Sequence, residues 1–291
     1  MKDDTMAKTA KRSGKGRSGS GEEGVNEEKV RAAVRERYGA LALTPSSCCG
    51  SKPETMCSCG DIYPKADIIS LPSEAIAVSA GCGNPTAIAA LKSGMTVVDL
   101  GSGGGIDCFL SAKKVGAKGR VYGIDATPEM IRRARTTAKE NGYDNVEFRL
   151  GEIEHMPLGD GVADVIISNC VINLSPDKEQ VFRDAFRVLK AGGKLAVSDI
   201  VLMKDLPESV RKDMRAWSEC VSGAVSEKEY TGAMRKAGFE NITVEERVVY
   251  TKEQLADYLE GTDSIEATKV AGIDLSNMVA SYKISAKKPK K

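Results

Sequence analysis

Apolar positions recur with two alternating periods along the middle of the chain. Short runs rich in valine and isoleucine, bounded by glycine, asparagine or aspartate, predict strands at 96–100, 121–124, 146–149, 165–168 and 194–198. Between and after them, apolar residues three and four apart predict helices over 106–115, 128–141, 178–189 and 208–219. This alternation implies an α/β fold, a doubly wound and mostly parallel sheet with helices on both faces. Gly192-Gly193 behind Leu189 reads as the stop of the third helix. Another helix over 227–237 ends at Gly238. Runs at 244–250 and 278–284 are late strands that can close the sheet as an antiparallel pair, with 252–259 a helical insertion between them.

The flanks follow different patterns. Residues 1–24 are rich in Lys, Gly and Ser without an apolar period, and are expected to be a disordered tail. Residues 25–38 have a helical period that brings Val30, Ala33, Val34 and Arg37 near one face. The stretch 43–79 is irregular, cysteine-bearing and broken by proline, with a short helix at 73–78. The expected organisation is therefore a tail (1–24), an N-terminal helix and cysteine-bearing cap (25–80), a main domain (81–240) and C-terminal strands with their insertion (241–291).

Composition narrows the classes. A chain of 291 residues can bury a full core. With 42 basic and 41 acidic residues it carries no electrostatic footprint for nucleic acid. No run of roughly eighteen apolar residues marks a membrane span, and the N-terminus has no apolar signal core. A cytoplasmic location is expected, where thiols stay reduced. The 8 cysteines then need an explanation other than a static disulfide framework.

The most informative stretch is VVDLGSGGGID, from Val97 to Asp107. Val97, Val98 and Leu100 make a buried strand; Gly101, Gly103 and Gly105 clear side chains from the turn that follows. Turns at the carboxyl ends of such strands bind nucleotide-like ligands. No Gly-Lys-Ser/Thr ending is present, which argues against a Walker loop. Asp99 at the strand end would repel a pyrophosphate and suits the cationic end of an amino acid. The DxGxGxG pattern resembles the S-adenosylmethionine loop of class I methyltransferases. That resemblance implies their Rossmann-like fold, with Asp99, Gly101, Ser102 and Gly103 at the cofactor. Asp125 ends the next strand, VYGID, where an acid hydrogen-bonds ribose hydroxyls. Thr127 is expected to cap the following helix and leave Asp125 free. Thr127 and Met130 can contact the base. Glu152, Ile153 and Glu154 follow the third strand, where an adenine partner is expected, and either carboxylate can point inward. Asn169 is a further cofactor contact at the fourth strand's end. The single histidine, His155, falls in a turn and reads as structural or as a cofactor neighbour.

Three cysteines fall where side chains should overlook this cleft: Cys82 in SAGCGNP, Cys170 in SNCVINL and Cys220 in WSECVSGA. They are not the close CxxC pairs of a zinc ribbon. Three soft thiolates without a nearby histidine suit a thiophilic, three-coordinate centre, a preference that trivalent arsenic has. Buried small hydrophobes are the alternative reading. Cys48, Cys49, Cys57 and Cys59 form a second group. They can supply a mobile thiol over the cleft, bind zinc among themselves, or exchange into a disulfide with a cleft cysteine. Cys108, flanked by Phe109 and Leu110, reads as core.

The segments YGALA (38–42), GCGNP (81–85), DLGSGGGIDC (99–108), SNCVINLSPDK (168–178) and WSECVSGA (217–224) resemble those of arsenite S-adenosylmethionine methyltransferases. The likeness runs from about residue 38 to 250. It implies a metalloid held by the thiolates of Cys82, Cys170 and Cys220, with an upstream family cysteine at Cys48 or Cys49. It also implies arsenite and methylated arsenicals as substrates, thioredoxin or glutathione as reductant, and a part in arsenic detoxification. The arsenic lone pair carries no proton, so no general base is called for, in keeping with a chain holding one histidine. Two rivals stay open. A small-molecule methyltransferase of the quinone or sterol type would share the loop and Asp125 without needing three cleft cysteines. A non-catalytic, thiol-rich metalloid-binding protein would have no use for the loop.

Overall fold

The computed structural model describes residues 26–44, 62–211, 217, 220–249 and 276–290. The tail at 1–24, the insertion at 252–259 and Cys48, Cys49, Cys57 and Cys59 lie outside the described residues. Seven strands form one sheet: β1 Thr96–Leu100, β2 Arg120–Asp125, β3 Val146–Leu150, β4 Ala163–Asn169, β5 Leu189–Leu202, β6 Glu240–Val249 and β7 Val279–Lys287. Their order is β3-β2-β1-β4-β5-β7-β6. β1 to β5 run parallel, and β7 lies antiparallel between β5 and β6. This is the class I methyltransferase arrangement, a mixed α/β sheet that is mostly parallel.

Strand periodicity explains the two-sided core. Side chains alternate faces along a strand. Val98, Leu100 and Ile166 therefore join Phe182, Tyr230 and Met234 on one face of the sheet. Val97, Val165 and Ile167 join Phe109, Ile131 and Phe148 on the other. Central parallel strands covered on both faces need near-continuous apolar runs, as TVVDL and ADVIISN supply.

The chain winds outward from β1 to β3, then returns to place β4 on the opposite side of β1. Leu100 pairs with Ser168 at the carboxyl ends of β1 and β4. That reversal opens a crevice. The glycine turn leaves β1 on one side of it, and Cys170 leaves β4 on the other.

Several boundaries differ from expectation. The N-terminal helix, Glu27–Leu43, continues through YGALA; Asn26 caps it, its Oδ1 accepting from Lys29 N at 3.1 Å. The helix Lys178–Val188 ends without help from Gly192-Gly193, because Leu189 is already extended. The two glycines instead lie within β5, where the register shifts between the pairs Ala163–Leu189 and Val165–Lys194. Gly192 adopts φ 78° there, and its N–H donates to Lys288 O at 3.0 Å. β5 also runs past the polar pair Ser198-Asp199 to Leu202 because β7 pairs with it from Lys194 to Leu202. Of the helix expected at 208–219, Glu208–Arg211 is described as helical. Among the described residues no helix is long and apolar enough to cross a membrane.

Candidate active site

The glycine turn is built for close approach. Gly101 adopts φ 65°, and a Cβ there would overlap the Val171 side chain of the turn after β4. Gly103, at φ 50°, has nothing within 4 Å of the place a Cβ would take, so its backbone faces open cleft. Ser102 is buried, and its Oγ has no hydrogen-bond partner among the described residues. These are the features of a turn shaped to receive a ligand.

Two buried carboxylates stand beside it. Asp99 accepts from Cys108 Sγ at 3.3 Å. Asp107 accepts from the Tyr63 hydroxyl, 3.0 Å from each oxygen, and from Asn169 Nδ2 at 3.1 Å. Among the described residues no ion pair joins either acid. Burial pushes both up from the ordinary carboxylate range, and the charge of Asp107 adds to the rise at Asp99. A ligand cation would relieve this arrangement. The Cys108 thiol is buried and pushed well up, first by burial and then by Asp99; its bond to Asp99 gives it more than a packing role.

Asp125 is not left free. Its Oδ1 accepts from Thr127 N at 2.8 Å and its Oδ2 from Gly103 N at 2.9 Å. Thr127 occupies the cap position of the helix Pro128–Glu140 but makes no side-chain cap bond. The expectation that the Thr127 side chain caps that helix and leaves Asp125 free is therefore corrected: the Asp125 carboxylate holds the N–H of the cap residue itself, just ahead of the helix, and ties the glycine turn to β2 as well. Asp125, Thr127, Met130, Ile153, Glu154 and Asn169 all line the cleft.

The N-terminal helix forms one wall, which sequence reasoning missed. Arg31 Nη2 lies 3.1 Å from Glu154 Oε1, and Arg35 Nη1 lies 2.8 Å from Glu152 Oε1. Glu154 is buried and also accepts from Ser175 Oγ at 2.7 Å. Both carboxylates thus have partners, with Glu154 the inner one. The i, i+4 spacing of Arg31 and Arg35 was the available signal, since it puts both cations on one helical face. His155 is exposed and does not line the cleft.

Cys82, Cys170 and Cys220 come together in one buried cluster with Leu174, Ile200 and Val279. Cys82 and Cys170 are joined as a disulfide, their Cα atoms 5.7 Å apart. Cys220 Sγ donates to Cys170 O at 2.7 Å. The loop carrying Cys82 is held by Asn169, whose Oδ1 accepts from Cys82 N at 3.1 Å and Gly83 N at 3.2 Å. Ser281 Oγ on β7 donates to Cys82 O at 3.0 Å. Cys170 and Cys220 adopt φ 58° and 65°. Left-handed backbone is uncommon outside glycine and costs on the order of 1–3 kcal/mol, persisting where the surroundings over-determine it. Both strained cysteines are so fixed: Cys170 N donates to Ser198 O at 2.8 Å, and Cys220 N to Trp217 O at 2.9 Å.

A polar layer lies beneath the cluster. Asp199 accepts from Asn173 Nδ2 at 2.8 Å and from the Tyr230 hydroxyl at 3.0 Å, and burial pushes it up to about 7. Lys178 Nζ donates to Ser175 O at 3.1 Å and lies 5.7 Å over the Trp217 ring. Burial lowers its ammonium to about 8 against the opposing pull of Asp199, Cys220 and Glu154. Trp217 Nε1 donates to Leu174 O at 3.2 Å. The segments bearing Cys170 and Cys220 are thereby fastened to each other.

Comparison with known proteins agrees with this geometry. A family model described as a methyltransferase domain matches residues 91–238. An arsenite methyltransferase of Halobacterium salinarum is 39% identical over 275 residues, 90% of this chain and 67% of that protein. One from Aquipseudomonas alcaligenes is 44% identical over 166 residues, 55% of this chain and 47% of the relative. The crystal structure of an arsenic(III) S-adenosylmethionine methyltransferase from Chlamydomonas reinhardtii superposes with a TM-score of 0.62 at 34% identity, covering 77% of this chain and 72% of that one. At this identity and coverage, and with this fold, the chain belongs to the arsenite methyltransferase family.

Proposed function

We propose that this protein transfers methyl groups from S-adenosylmethionine to trivalent arsenic, as arsenite or methylarsenite, held by cysteine sulfur. One observation carries the reading: three cysteines far apart in sequence share a cluster that adjoins the glycine turn across the β1–β4 crevice.

The chain's residues fit the cofactor. Asp99 and Asp107 form an anionic corner for an ammonium group. Gly101, Ser102 and Gly103 let the amino-acid portion approach the backbone, and Asp125 is placed for ribose hydroxyls. Thr127, Met130, Ile153 and Glu154 line the remainder, where an adenine ring would lie, with Asn169 between this half and the sulfurs. When bound, the cofactor supplies an electrophilic methyl group on a sulfonium sulfur. Orientation and exclusion of water are what the walls contribute; well-aligned intramolecular reactions gain on the order of 7–11 kcal/mol over separated reactants.

Cys82, Cys170 and Cys220 bind arsenic as thiolates, with Cys48 or Cys49 as a further donor. The Cys82–Cys170 disulfide must first be reduced. The arsenic lone pair attacks the methyl carbon: an arsenic–carbon bond forms as the carbon–sulfonium bond breaks, S-adenosylhomocysteine leaves with that electron pair, and arsenic goes formally from +3 to +5. Two thiolates then leave together as a disulfide. Their two electrons return arsenic to +3, while a water oxygen takes a vacated position and releases a proton. A disulfide between Cys82 and Cys170 is the form this cycle would leave behind. Thioredoxin or glutathione reduces it for the next round, by thiol–disulfide exchange. Such a cycle serves arsenic detoxification.

The test uses reduced full-length protein with labelled S-adenosylmethionine, arsenite and a thiol, followed by chromatographic speciation of arsenic. Labelled mono- and dimethylated arsenicals are expected, and Cys170→Ser and Cys220→Ser should abolish them. Tight arsenite binding without labelled product would replace this reading with a metalloid-binding protein. Methylation of a quinone acceptor, undiminished in the cysteine variants, would replace it with the quinone type.

A further inference from the structure

The two halves of the cleft meet in one hydrogen-bonded node. Asn169 closes β4, one residue before Cys170. Its Oδ1 holds the N–H groups of Cys82 and Gly83. Its Nδ2 lies 2.6 Å from Gly83 O, 2.9 Å from the Tyr63 hydroxyl and 3.1 Å from Asp107 Oδ2. The Tyr63 hydroxyl can donate to Asp107 while its oxygen accepts from Asn169. Asn169 has little freedom to turn away: a Cβ on Gly81 would stand 2.6 Å from its Cγ. Tyr63 is 2% exposed and does not line the cleft. Methyl transfer as derived above makes no use of it.

We infer that Tyr63 is a positioning residue that couples cofactor binding to assembly of the thiol site, so that each ligand raises the protein's affinity for the other. The inference rests on the functional reading above, in which the Asp99–Asp107 corner receives a cation and Cys82 donates sulfur. A cation beside Asp107 holds its carboxylate in place as a charged acceptor, and hydrogen bonds to charged acceptors are roughly twice as strong as neutral ones. The bonds from Tyr63 and Asn169 then tighten together. Asn169, pinned on its Nδ2 side, offers Oδ1 to the Cys82 loop in one fixed direction. The ordering of that loop is completed before arsenic arrives, and a second ligand meeting an already ordered site binds more tightly. Linkage makes the effect reciprocal.

Reduced full-length protein is titrated calorimetrically with arsenite, with and without saturating S-adenosylhomocysteine, which carries the ammonium but no transferable methyl. In the wild type, S-adenosylhomocysteine is expected to lower the arsenite Kd about fivefold, near the lower end of common coupling strengths. Arsenite should lower the Kd for S-adenosylhomocysteine by the same factor. Tyr63→Phe keeps the buried ring and removes the hydroxyl; its ratio should fall to about one, whichever way the separate affinities move. Asp107→Asn, at saturating S-adenosylhomocysteine, should also lose the ratio and gives a second variant if the first does not fold. A wild-type ratio of one, or an undiminished ratio in Tyr63→Phe, overturns the inference. Failure of the reduced wild type to bind arsenite overturns the thiol site itself, whereas binding of both ligands without coupling removes the role of Tyr63 alone.

Discussion

Gly223→Ala should separate the two turns that bring Cys170 and Cys220 together. Gly223 is not in the left-handed region, so its backbone accepts alanine and the effect is purely steric. The added Cβ would overlap the carbonyl oxygen of Asn173 and lie 3.1 Å from Asn173 C and from Trp217 Cε2. Asn173 belongs to the single turn Ile172–Leu174 that follows Cys170, and a backbone carbonyl cannot swing aside as a side chain can. One turn must retreat by more than about 1 Å to bring this carbon and oxygen to ordinary contact distance. That movement stretches the contact between Cys220 Sγ and Cys170 O, now 2.7 Å. Overpacking of this kind costs about 1–3 kcal/mol. If arsenite restores the original spacing, that cost comes out of binding, and at about 1.4 kcal/mol per decade affinity falls by about 5- to 140-fold. Calorimetric titration of the reduced protein with arsenite alone measures it, with S-adenosylhomocysteine alone as control, expected unchanged. Gly103→Ala is the counterpart at the other half: its methyl enters open cleft and its φ of 50° strains an alanine, so cofactor-analogue binding should weaken while arsenite binding stands. A Gly223→Ala protein with the wild-type arsenite isotherm and an unchanged melting temperature would refute the argument that rigid backbone contact sets the sulfur spacing.

Other expectations follow from single contacts. Arg31→Met leaves Glu154 with Ser175 as its side-chain partner and loosens the helical wall; the Kd for S-adenosylhomocysteine should rise about three- to tenfold, since a hydrogen bond to a charged group is worth about 1.5–3 kcal/mol before solvent screening. Peptide mapping of unreduced protein should recover a Cys82–Cys170 cross-link that dithiothreitol removes and Cys82→Ser abolishes. Asp199, pushed up to about 7 by burial, keeps in the folded state a proton that the unfolded chain releases near pH 4. Its contribution to stability is full below about pH 4 and is lost as pH rises through about 7. Asp199→Asn does not titrate, so its melting temperature relative to wild type should climb between pH 5 and 8; a constant difference would show that Asp199 is already ionised at the lower pH.

What the sequence disclosed depended on whether a local pattern carried the information. Central strands were legible because parallel pairing demands unbroken apolar runs, and VVDL and DVIIS have them. The glycine turn was legible because φ above zero and close approach both favour glycine. The end of the helix before β5 was misread because Gly192 serves a register shift between strands, a tertiary event that resembles a helix stop in one dimension. Thr127 fits the cap pattern, yet its side chain makes no cap bond, and Asp125 bridges the Thr127 and Gly103 N–H groups, a contact between two strands' ends that no local pattern shows. The pairing of Asp107 with Tyr63 was invisible: nothing local says that a helix-embedded acid and a tyrosine 44 positions earlier in the chain will be hydrogen-bonded. Left-handed backbone at Cys170 and Cys220 was equally hidden, since neither position carries the glycine or asparagine that would announce it.

Methyl donor and acceptor are presented from neighbouring strand ends, Leu100 beside Ser168, and the donor half is built almost wholly from backbone and acids on the β1 side. Acceptor identity is therefore separable from the transfer chemistry. The cysteine cluster draws on three separate places in the chain: Cys82 ahead of β1, Cys170 directly after β4 and Cys220 beyond β5. Changing the residues of those three segments would alter what the cluster can hold while leaving the glycine turn and the acids beside it in place.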